Sequence, residues 1–226
     1  MRLILILFVI SITIFAQPVT VEIEALPEES TSTLEVKPPS ILMIDNFEDG
    51  DLVKFREWWS FDKVVITPVE NEKSDTHYIE KISLEVNASS NNWYAGGFGT
   101  YLNENASYFS VLKLVIYAPK LNAGTIRIEL YDDDNNNKIV DISSETGMPE
   151  KDDLFIYDLN LTWEGWQVIS IPLAEFVDFN PEVGDNIWNP NQDYGSSGLT
   201  QMQLVVLSSK FKTETIQFKI DTIKFN

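Results

Sequence analysis

Residues 111–131 read VLKLVIYAPKLNAGTIRIELY. Two apolar or alternating runs, Val111–Tyr117 and Thr125–Tyr131, lie on either side of the turn-forming residues Asn122, Ala123 and Gly124. Alternation of apolar and polar residues is typical of a strand with one buried face, and Gly and Asn are typical of the turns between strands. We therefore predict two strands here, joined by a short connection.

The same pattern extends over residues 41–226 and predicts a fold made of strands. Short apolar or alternating runs are separated by Gly, Asn, Asp and Pro, and only Leu173–Phe176 suggests helix, over about one turn. Without helical crossovers, this pattern indicates an all-β antiparallel β-sandwich of the jelly-roll type. About eleven strands are predicted: Ile41–Ile44, Val64–Ile66, Ile82–Val86, Trp93–Gly99, Val111–Tyr117, Thr125–Tyr131, Lys138–Ile142, Leu154–Leu161, Trp166–Ile171, Met202–Leu207 and Ile216–Phe225.

The first 40 residues differ from the rest of the chain. Met1 and Arg2, the apolar run Leu3–Phe15 and then Ala16 form the pattern of a cleavable signal peptide over residues 1–16. Residues 17–40 are acidic and rich in Pro, Ser and Thr, which predicts an extended linker before the sandwich of residues 41–226. No later run approaches the ~20 apolar residues of a membrane-spanning helix. We expect a secreted, periplasmic or cell-surface protein, from a bacterium, with no transmembrane segment in the mature chain.

Composition limits the chemistry of the chain. The sequence has no Cys and one His, His77, and its formal net charge is -19. Disulfides and thiol nucleophiles are thereby excluded, and this acidity disfavours nucleic acid and anionic lipid as partners. A Ser-His-Asp triad would need His77, which lies in a polar stretch without a nucleophile-elbow context. We expect no enzyme activity; a glycosidase with two paired carboxylates stays an alternative that no motif supports.

The densest acidic run, residues 132–139, has the spacing of a calcium-binding loop. Asp132, Asp134 and Asn136 take positions one, three and five of a D-x-D-x-N pattern. Oxygen ligands at alternating positions of a tight loop suit Ca²⁺, although Ser143 replaces the usual Glu at position twelve. The alternative is a solvated turn, in which Asp and Asn are equally favoured. The sequence leaves both interpretations open.

Tryptophan and tyrosine side chains are the second group of candidate ligand-binding residues. Sugar rings present C–H faces that stack on aromatic plates, while their hydroxyls need polar partners. Adjacent rings in a strand point to opposite faces. One ring of the pair Trp58-Trp59 and one ring of the pair Trp93-Tyr94 is therefore a candidate for the surface. Trp166 opens an apolar strand and is assigned to the core. The candidate ligand-binding residues are Trp58, Trp59, Trp93, Tyr94, Trp188 and Tyr194.

Five motifs occur in an order that resembles a known family. They are Ile44–Glu48, Asn92–Gly97, Thr125–Leu130, Gly165–Leu173 and Phe218–Ile223. In this order they are similar to the landmarks of galactose-binding-like jelly rolls, above all family 11 carbohydrate-binding modules and the domain of complex I intermediate-associated proteins. The resemblance implies a sandwich that can hold a polysaccharide, with a structural calcium near the meeting point of the first and last strands. It implies Asp45, Glu48 and Asp221 as the candidate ligands of that calcium, for which turn and edge chemistry is the alternative.

Two hypotheses about function follow. The first is a secreted, non-catalytic, calcium-stabilised module that binds polysaccharide or cell-surface glycan. The second is a structural or assembly protein of the cell envelope, surface layer or appendage sheath, which acts through contacts with its own copies or with envelope proteins. Two measurements distinguish these hypotheses: binding to glycans supports the first, and assembly of the purified chain in light scattering supports the second.

Overall fold

The computed structural model describes residues 39–72, 79–90, 93–193, 195–208 and 213–226. The predicted signal peptide, nearly all of the predicted linker, His77 and Tyr194 lie outside these residues. Within the described part of the chain, no helix is long and apolar enough to cross a membrane.

Strands are the main regular structure of the described residues. Within these residues the single helical element is the short 3-10 turn Leu173–Glu175, where the sequence predicts about one turn of helix. The strands are β1 Leu42–Asp45, β2 Trp58–Asp62, β3 Val64–Glu70, β4 Ile82–Ser90, β5 Tyr94–Glu104, β6 Val111–Ala118, β7 Thr125–Asp133, β8 Asp153–Asn160, β9 Gly165–Pro172, β10 Val177–Asp178, β11 Gly198–Leu207 and β12 Glu214–Phe225.

These strands make two six-stranded sheets. The first sheet has the order β3-β4-β12-β6-β9, with β1 also paired to β12, and the second has the order β10-β8-β7-β11-β5-β2. Every pairing of named strands is antiparallel. The predicted all-β antiparallel sandwich is therefore confirmed. Strands β6 and β7, which are neighbours in sequence, belong to different sheets, so the connection between them crosses the sandwich.

The core lies between the inner faces of the two sheets. On β7, Ile126, Ile128 and Leu130 alternate with polar residues, and all three are fully buried. Phe98 of the second sheet meets Phe218 of the first with ring centroids 6.5 Å apart. The alternation that predicted strands therefore also determines which side chains face the opposite sheet.

One predicted strand is wrong. Residues 138–142 form no strand and lie in the long connection 134–152 between β7 and β8. Asn136 and Lys138 have left-handed backbone, with φ of 57° and 67°, and the Ile139 N–H donates to Asn137 Oδ1 at 3.0 Å. Asn favours this local turn, which interrupts the extended backbone despite the apolar Ile139 and Ile142. Strands β2 and β10 are additional to the predicted set.

Candidate functional site

The outer face of the second sheet, turned away from the core, carries aromatic and polar side chains in rows. Paired residues of neighbouring antiparallel strands lie on the same face, so the pairing register defines these rows. The middle row crosses the sheet as Trp59, Gly99, Gln203, Glu129, Ile156 and Val177. The row beside it is Phe61, Gly97, Val205, Arg127 and Asp158, and the row on the other side is Tyr101, Gln201, Tyr131 and Leu154.

Three aromatic rings form a continuous strip along β2 and β5. The Trp59 ring centroid lies 5.9 Å from that of Phe61 and 5.9 Å from that of Tyr101. Tyr101 is 59% exposed. At Gly99 a Cβ would come within 2.7 Å of Trp59 Cη2 and 2.6 Å of the Met202 carbonyl oxygen. The absence of a side chain on β5 thus allows the Trp59 ring to lie over the strand.

A hydrogen-bonded polar group stands beside this aromatic strip. Tyr131 donates its hydroxyl proton to Glu129 Oε2 at 2.9 Å, and Gln203 Nε2 donates to the Tyr131 oxygen at 2.9 Å. Burial raises the pKa of Glu129, against the lowering effects of the Tyr131 hydrogen bond and of Arg127. Burial also raises the pKa of the Tyr131 hydroxyl, which stays protonated. The strip therefore borders fixed donors and acceptors.

Arg127 and Asp158 complete the polar part of the face. Arg127 Nε and Nη2 lie 2.7 and 3.0 Å from the two oxygens of Asp158, in the two-pronged geometry that suits a guanidinium and a carboxylate. The Arg127 guanidinium also lies 5.1 Å from the ring centroid of Phe179. The hydrogen bonds to Asp158 raise the pKa of Arg127, so the guanidinium stays charged at neutral pH.

The connection between β7 and β8 borders one end of the aromatic strip. Its residues Ile139, Val140 and Ile142 line a crevice of about 390 Å³ together with Trp59, Tyr101 and Gln201. Ile139 is 57% exposed. An apolar wall therefore stands next to two rings of the strip.

The structure separates the aromatic residues that the sequence predicted as ligand-binding. Trp59 lies on the outer face, whereas Trp58 is 5% exposed and belongs to the core. The prediction of Trp58 as a binding residue is therefore corrected: its indole Nε1 donates to Asp45 Oδ2 at 2.7 Å inside the protein. Pleating places adjacent residues on opposite faces, as the sequence argument required.

The other predicted aromatic residues lie elsewhere. Trp188 packs against the core and meets Phe155 edge-on, with ring centroids 5.4 Å apart, so it anchors its loop. Trp93 is 46% exposed, and its ring centroid lies 4.9 Å from that of Tyr94, whose hydroxyl donates to Asp62. Tyr94 is the first residue of β5 and Trp93 precedes it, so both lie toward the end of the strand opposite to Tyr101. Tyr194 is outside the described residues.

Trp166, which the sequence assigned to the core, is not buried there. It pairs with Tyr117 across β9 and β6, with ring centroids 5.4 Å apart, on the outer face of the first sheet. Tyr117 and Trp166 border a cavity of about 360 Å³. The register of β9 on β6 places Trp166 on the same face as Tyr117, so its ring points away from the core.

A second candidate site is a group of aspartates at the end of β7 and the start of β8. Asp132 and Asp153 are paired across the two strands and therefore lie on the same face. One carboxylate oxygen from each of Asp134, Asp153 and Asp185 lies within 4.8 Å of the others. We call Asp132, Asp134, Asp153 and Asp185 the aspartate cluster.

Protein donors satisfy only part of the aspartate cluster. Asn189 N donates to Asp132 Oδ2 at 2.7 Å, and Ile187 N donates to Asp153 Oδ2 at 3.1 Å. Burial and the neighbouring carboxylates raise the pKa of Asp132 to about 8 and that of Asp134 to about 7. Burial and other carboxylates likewise raise the pKa of Asp153 to about 6. These acids therefore stand in an environment that disfavours negative charge.

The sequence pattern found only half of the aspartate cluster. Asp132 and Asp134 belong to it, but Asn136 is exposed and has a left-handed backbone in the connection. Asp153 and Asp185 come from distant segments. The only sequence signal for Asp153 is the acidic pair Asp152-Asp153, and the only signal for Asp185 is its place in a polar loop. The roles of Asp132, Asp134 and Asn136 as metal ligands stay predictions.

The other predicted calcium ligands occupy a different part of the sandwich. Asp45 accepts hydrogen bonds from Phe47 N at 2.8 Å and from Trp58 Nε1, so each of its oxygens has a protein donor. Asp221 Oδ2 accepts from Glu80 N at 3.0 Å, and Glu48 Oε1 accepts from Ile82 N at 2.6 Å. Burial raises the pKa of Asp221 to about 6. Protein donors thus reach all three carboxylates, and calcium at this place stays a prediction.

Comparison with known proteins adds structural neighbours. No family model matches the chain, and no curated protein matches it. A family 11 carbohydrate-binding module from Clostridium thermocellum, solved with a β-1,3-1,4-mixed-linked tetrasaccharide, is 17% identical with a TM-score of 0.48, covering 82% of this chain and 94% of that chain. The family 11 module of a Clostridium thermocellum cellulosomal cellulase is also 17% identical with a TM-score of 0.48, covering 84% and 95%.

A third solved structure is the protein SGBP-B from a xyloglucan utilization locus of Bacteroides uniformis. It is 13% identical with a TM-score of 0.41, and the match covers 81% of this chain and 49% of that one. Family 11 carbohydrate-binding modules, which the sequence motifs resemble, are thus among the solved structures to which this chain is similar.

Proposed function

We propose that this chain is a non-catalytic polysaccharide-binding module that holds a glycan on the outer face of its second sheet. The observation that carries the proposal is the strip of Trp59, Phe61 and Tyr101 beside the polar group of Glu129 and Gln203. Flat apolar rings next to fixed hydrogen-bonding groups are the combination that a sugar chain requires.

Each part of the face has a separate task in this proposal. The rings of Trp59 and Tyr101 stack on the C–H faces of sugar units, which removes apolar area from water. Gln203 on β11 lies one strand spacing of ~4.8 Å from β5, and Glu129 on β7 lies one strand further, where both meet sugar hydroxyls. The Arg127–Asp158 pair supplies charged hydrogen-bonding groups on the same face.

The opposite sheet offers a competing aromatic pair, Tyr117 and Trp166. We favour the second sheet because its three rings are continuous and because Gly97 and Gly99 allow Phe61 and Trp59 to lie over β5. The pair on the first sheet therefore serves as a matched control.

Affinity electrophoresis and calorimetry against mixed-linked β-glucan, xyloglucan and cellulose oligosaccharides test the proposal. We expect Trp59→Ala to weaken binding at least about tenfold, since buried aromatic anchors dominate binding energies. Tyr101→Ala should act in the same direction. Trp166→Ala should retain wild-type affinity.

Four results would contradict this function. Folded protein that binds none of a broad set of polysaccharides, or that loses affinity through Trp166→Ala and not Trp59→Ala, rules out the assigned face. Release of reducing sugar by the wild type, abolished in Glu129→Gln, would show a hydrolase instead. Self-assembly in light scattering without glycan binding would favour the envelope-assembly hypothesis.

We also propose that the protein is exported. The signal-peptide pattern of residues 1–16, which lie outside the described part of the chain, supports this. Mass spectrometry of the protein from culture fractions should find a mature N-terminus after Ala16, in the medium or on the cell surface. Intact Met1 on a protein confined to the cytoplasm contradicts this part of the proposal.

A further inference from the structure

Six aspartates meet where β7 ends and β8 begins, and strand alternation separates them into two sets. Asp133 lies on the other face from Asp132, and there its carboxylate accepts from Ser197 N at 2.8 Å and from Asn135 N at 3.1 Å. Asp152 accepts from Asn135 Nδ2 at 2.8 Å. These two carboxylates hold the connection and the Ser197 loop, although Asp152 Oδ2 is itself buried without a hydrogen-bond partner among the described residues. The aspartate cluster lies on the inner side.

Two members of the aspartate cluster carry buried oxygens without a donor. Asp132 and Asp153 are fully buried. Within the described residues, Asp132 Oδ1 and Asp153 Oδ1 accept no hydrogen bond. Burying a carboxylate oxygen without a hydrogen-bond partner costs free energy of folding. Two such oxygens on paired residues are stabilised if one cation lies between them.

The unpartnered oxygen of Asp153 points toward the other carboxylates. A Cβ placed on Gly184 would collide with both Asp153 Oδ1 and Asp134 Oδ2, so both oxygens border the same small space. Asp185, the next residue in the chain, contributes a third carboxylate oxygen within 4.8 Å. The three ion pairs of the described part of the chain involve Arg56, Arg127 and Lys151, and none of them includes a member of the aspartate cluster.

We propose that the aspartate cluster is a calcium-binding site, in which oxygens of Asp134, Asp153 and Asp185 converge within 4.8 Å and the buried Asp132 beside them adds the fourth carboxylate. The ligands come from the end of β7, the start of β8 and the loop before Trp188, so a bound ion joins three separate segments. The proposed set does not include Asn136, which the loop pattern suggested and which is exposed.

The chemistry of the ligands selects the class of metal. All four are carboxylates, which prefer hard cations, and the absence of His and Cys disfavours zinc or copper. Calcium accepts six to eight oxygens in irregular geometry, so four carboxylates and water molecules suffice. Magnesium demands a stricter octahedron and keeps more of its water. The site should therefore prefer Ca²⁺ to Mg²⁺.

Calorimetric titration of chelator-treated full chain with CaCl₂ tests the site, and terbium luminescence gives an independent probe. We expect one calcium equivalent in wild type and at least about tenfold weaker binding in Asp153→Asn, because affinity follows the number of charged ligands. The Asn side chain keeps an oxygen for the Ile187 N–H, so the variant should fold. Glu145→Gln, which removes one exposed charge from the same connection, should bind as wild type does.

Circular dichroism of the metal-free proteins separates lost binding from lost folding. Asp134→Asn serves as a second variant, since Asp134 is only half-buried. The proposal is overturned if folded wild type binds neither calcium nor terbium at millimolar concentration. It is overturned equally if Asp153→Asn and Asp134→Asn, both folded, titrate as wild type does.

Discussion

Trp58 and Trp59 are adjacent in the sequence and lie on opposite faces of the second sheet. The Trp58 indole donates to buried Asp45, and the Trp59 ring faces outward. We expect Trp58→Phe to destabilise the protein by about 1–3 kcal/mol, because it leaves a buried carboxylate oxygen without its donor. Urea denaturation measures this loss.

The same variant should leave glycan affinity unchanged, since Phe retains most of the ring volume in the core. Trp59→Phe is the matched control, for which we expect the reverse: little change in stability and weaker glycan binding. Weaker glycan binding by folded Trp58→Phe would contradict the assignment of Trp58 to the core and of Trp59 to the binding face.

Gly99 shows how one missing side chain prepares the binding face. A Cβ there would press on Trp59 Cη2 and on the Met202 carbonyl oxygen of the neighbouring strand. We expect Gly99→Ala to cost about 1–3 kcal/mol through overpacking and to weaken glycan binding by displacing the Trp59 ring. In the Trp59→Ala background the substitution should no longer alter affinity, which calorimetry of the four proteins measures. Unchanged affinity in the single variant would contradict the argument.

Glu129 makes stability depend on pH. Its pKa in the folded protein is raised above the ordinary 4.5 by burial, so folding favours its protonated form. The stability that it contributes is therefore complete below about pH 4.5 and is lost as pH rises through the folded pKa. Relative to Glu129→Gln, the wild type should become progressively less stable as pH rises from about 4.5 through the folded pKa of Glu129.

Urea denaturation of both proteins across this range checks the sign. The Gln variant keeps an acceptor for the Tyr131 hydroxyl and does not titrate, so other acids cancel in the difference. A difference that is constant with pH, or that grows in favour of the wild type, would refute the raised pKa.

At the scale of elements, the connection between β7 and β8 serves two sites. Its first residues approach the aspartate cluster, and its Ile139 and Ile142 border the crevice beside Trp59 and Tyr101. Because Ile139 is exposed, we expect Ile139→Ser to change stability by less than about 0.5 kcal/mol. Its affinity for glycan should nevertheless fall, as the apolar wall is removed. Leu121→Ser, at an exposed site in another connection, is the control for calorimetry.

At the scale of the whole molecule, calcium should act as a staple for a sandwich without cysteine. A ligand that binds only the folded state stabilises it by about 2.7 kcal/mol at 100 times its Kd. For a domain of this size we expect Tm to rise by roughly 5–10 °C when calcium is added after chelation. Scanning calorimetry measures the shift, which Asp153→Asn should abolish. An equal shift in that variant would place the stabilising ion elsewhere.

The local pattern of the sequence was sufficient for the fold class. Alternation in segments such as Thr125–Tyr131 requires one buried and one outward face, so strand identity and the inward side chains Ile126 and Ile128 were predictable. Residues 138–142 were mispredicted because Asn turn chemistry outweighed their apolar character. The face assignment of Trp58 and Trp59 needed the pairing partners of β2, which alternation alone does not provide.

The two candidate sites depended on the tertiary structure for a physical reason. Strand pairing joins residues far apart in sequence, such as Trp59 with Gly99 and Asp132 with Asp153. A linear pattern records only neighbours along the chain, so it found Asp132 and Asp134 but gave no means to choose Asp153, Asp185 or Tyr101. The residues specify strands and their two faces locally, whereas the register between strands decides which side chains meet.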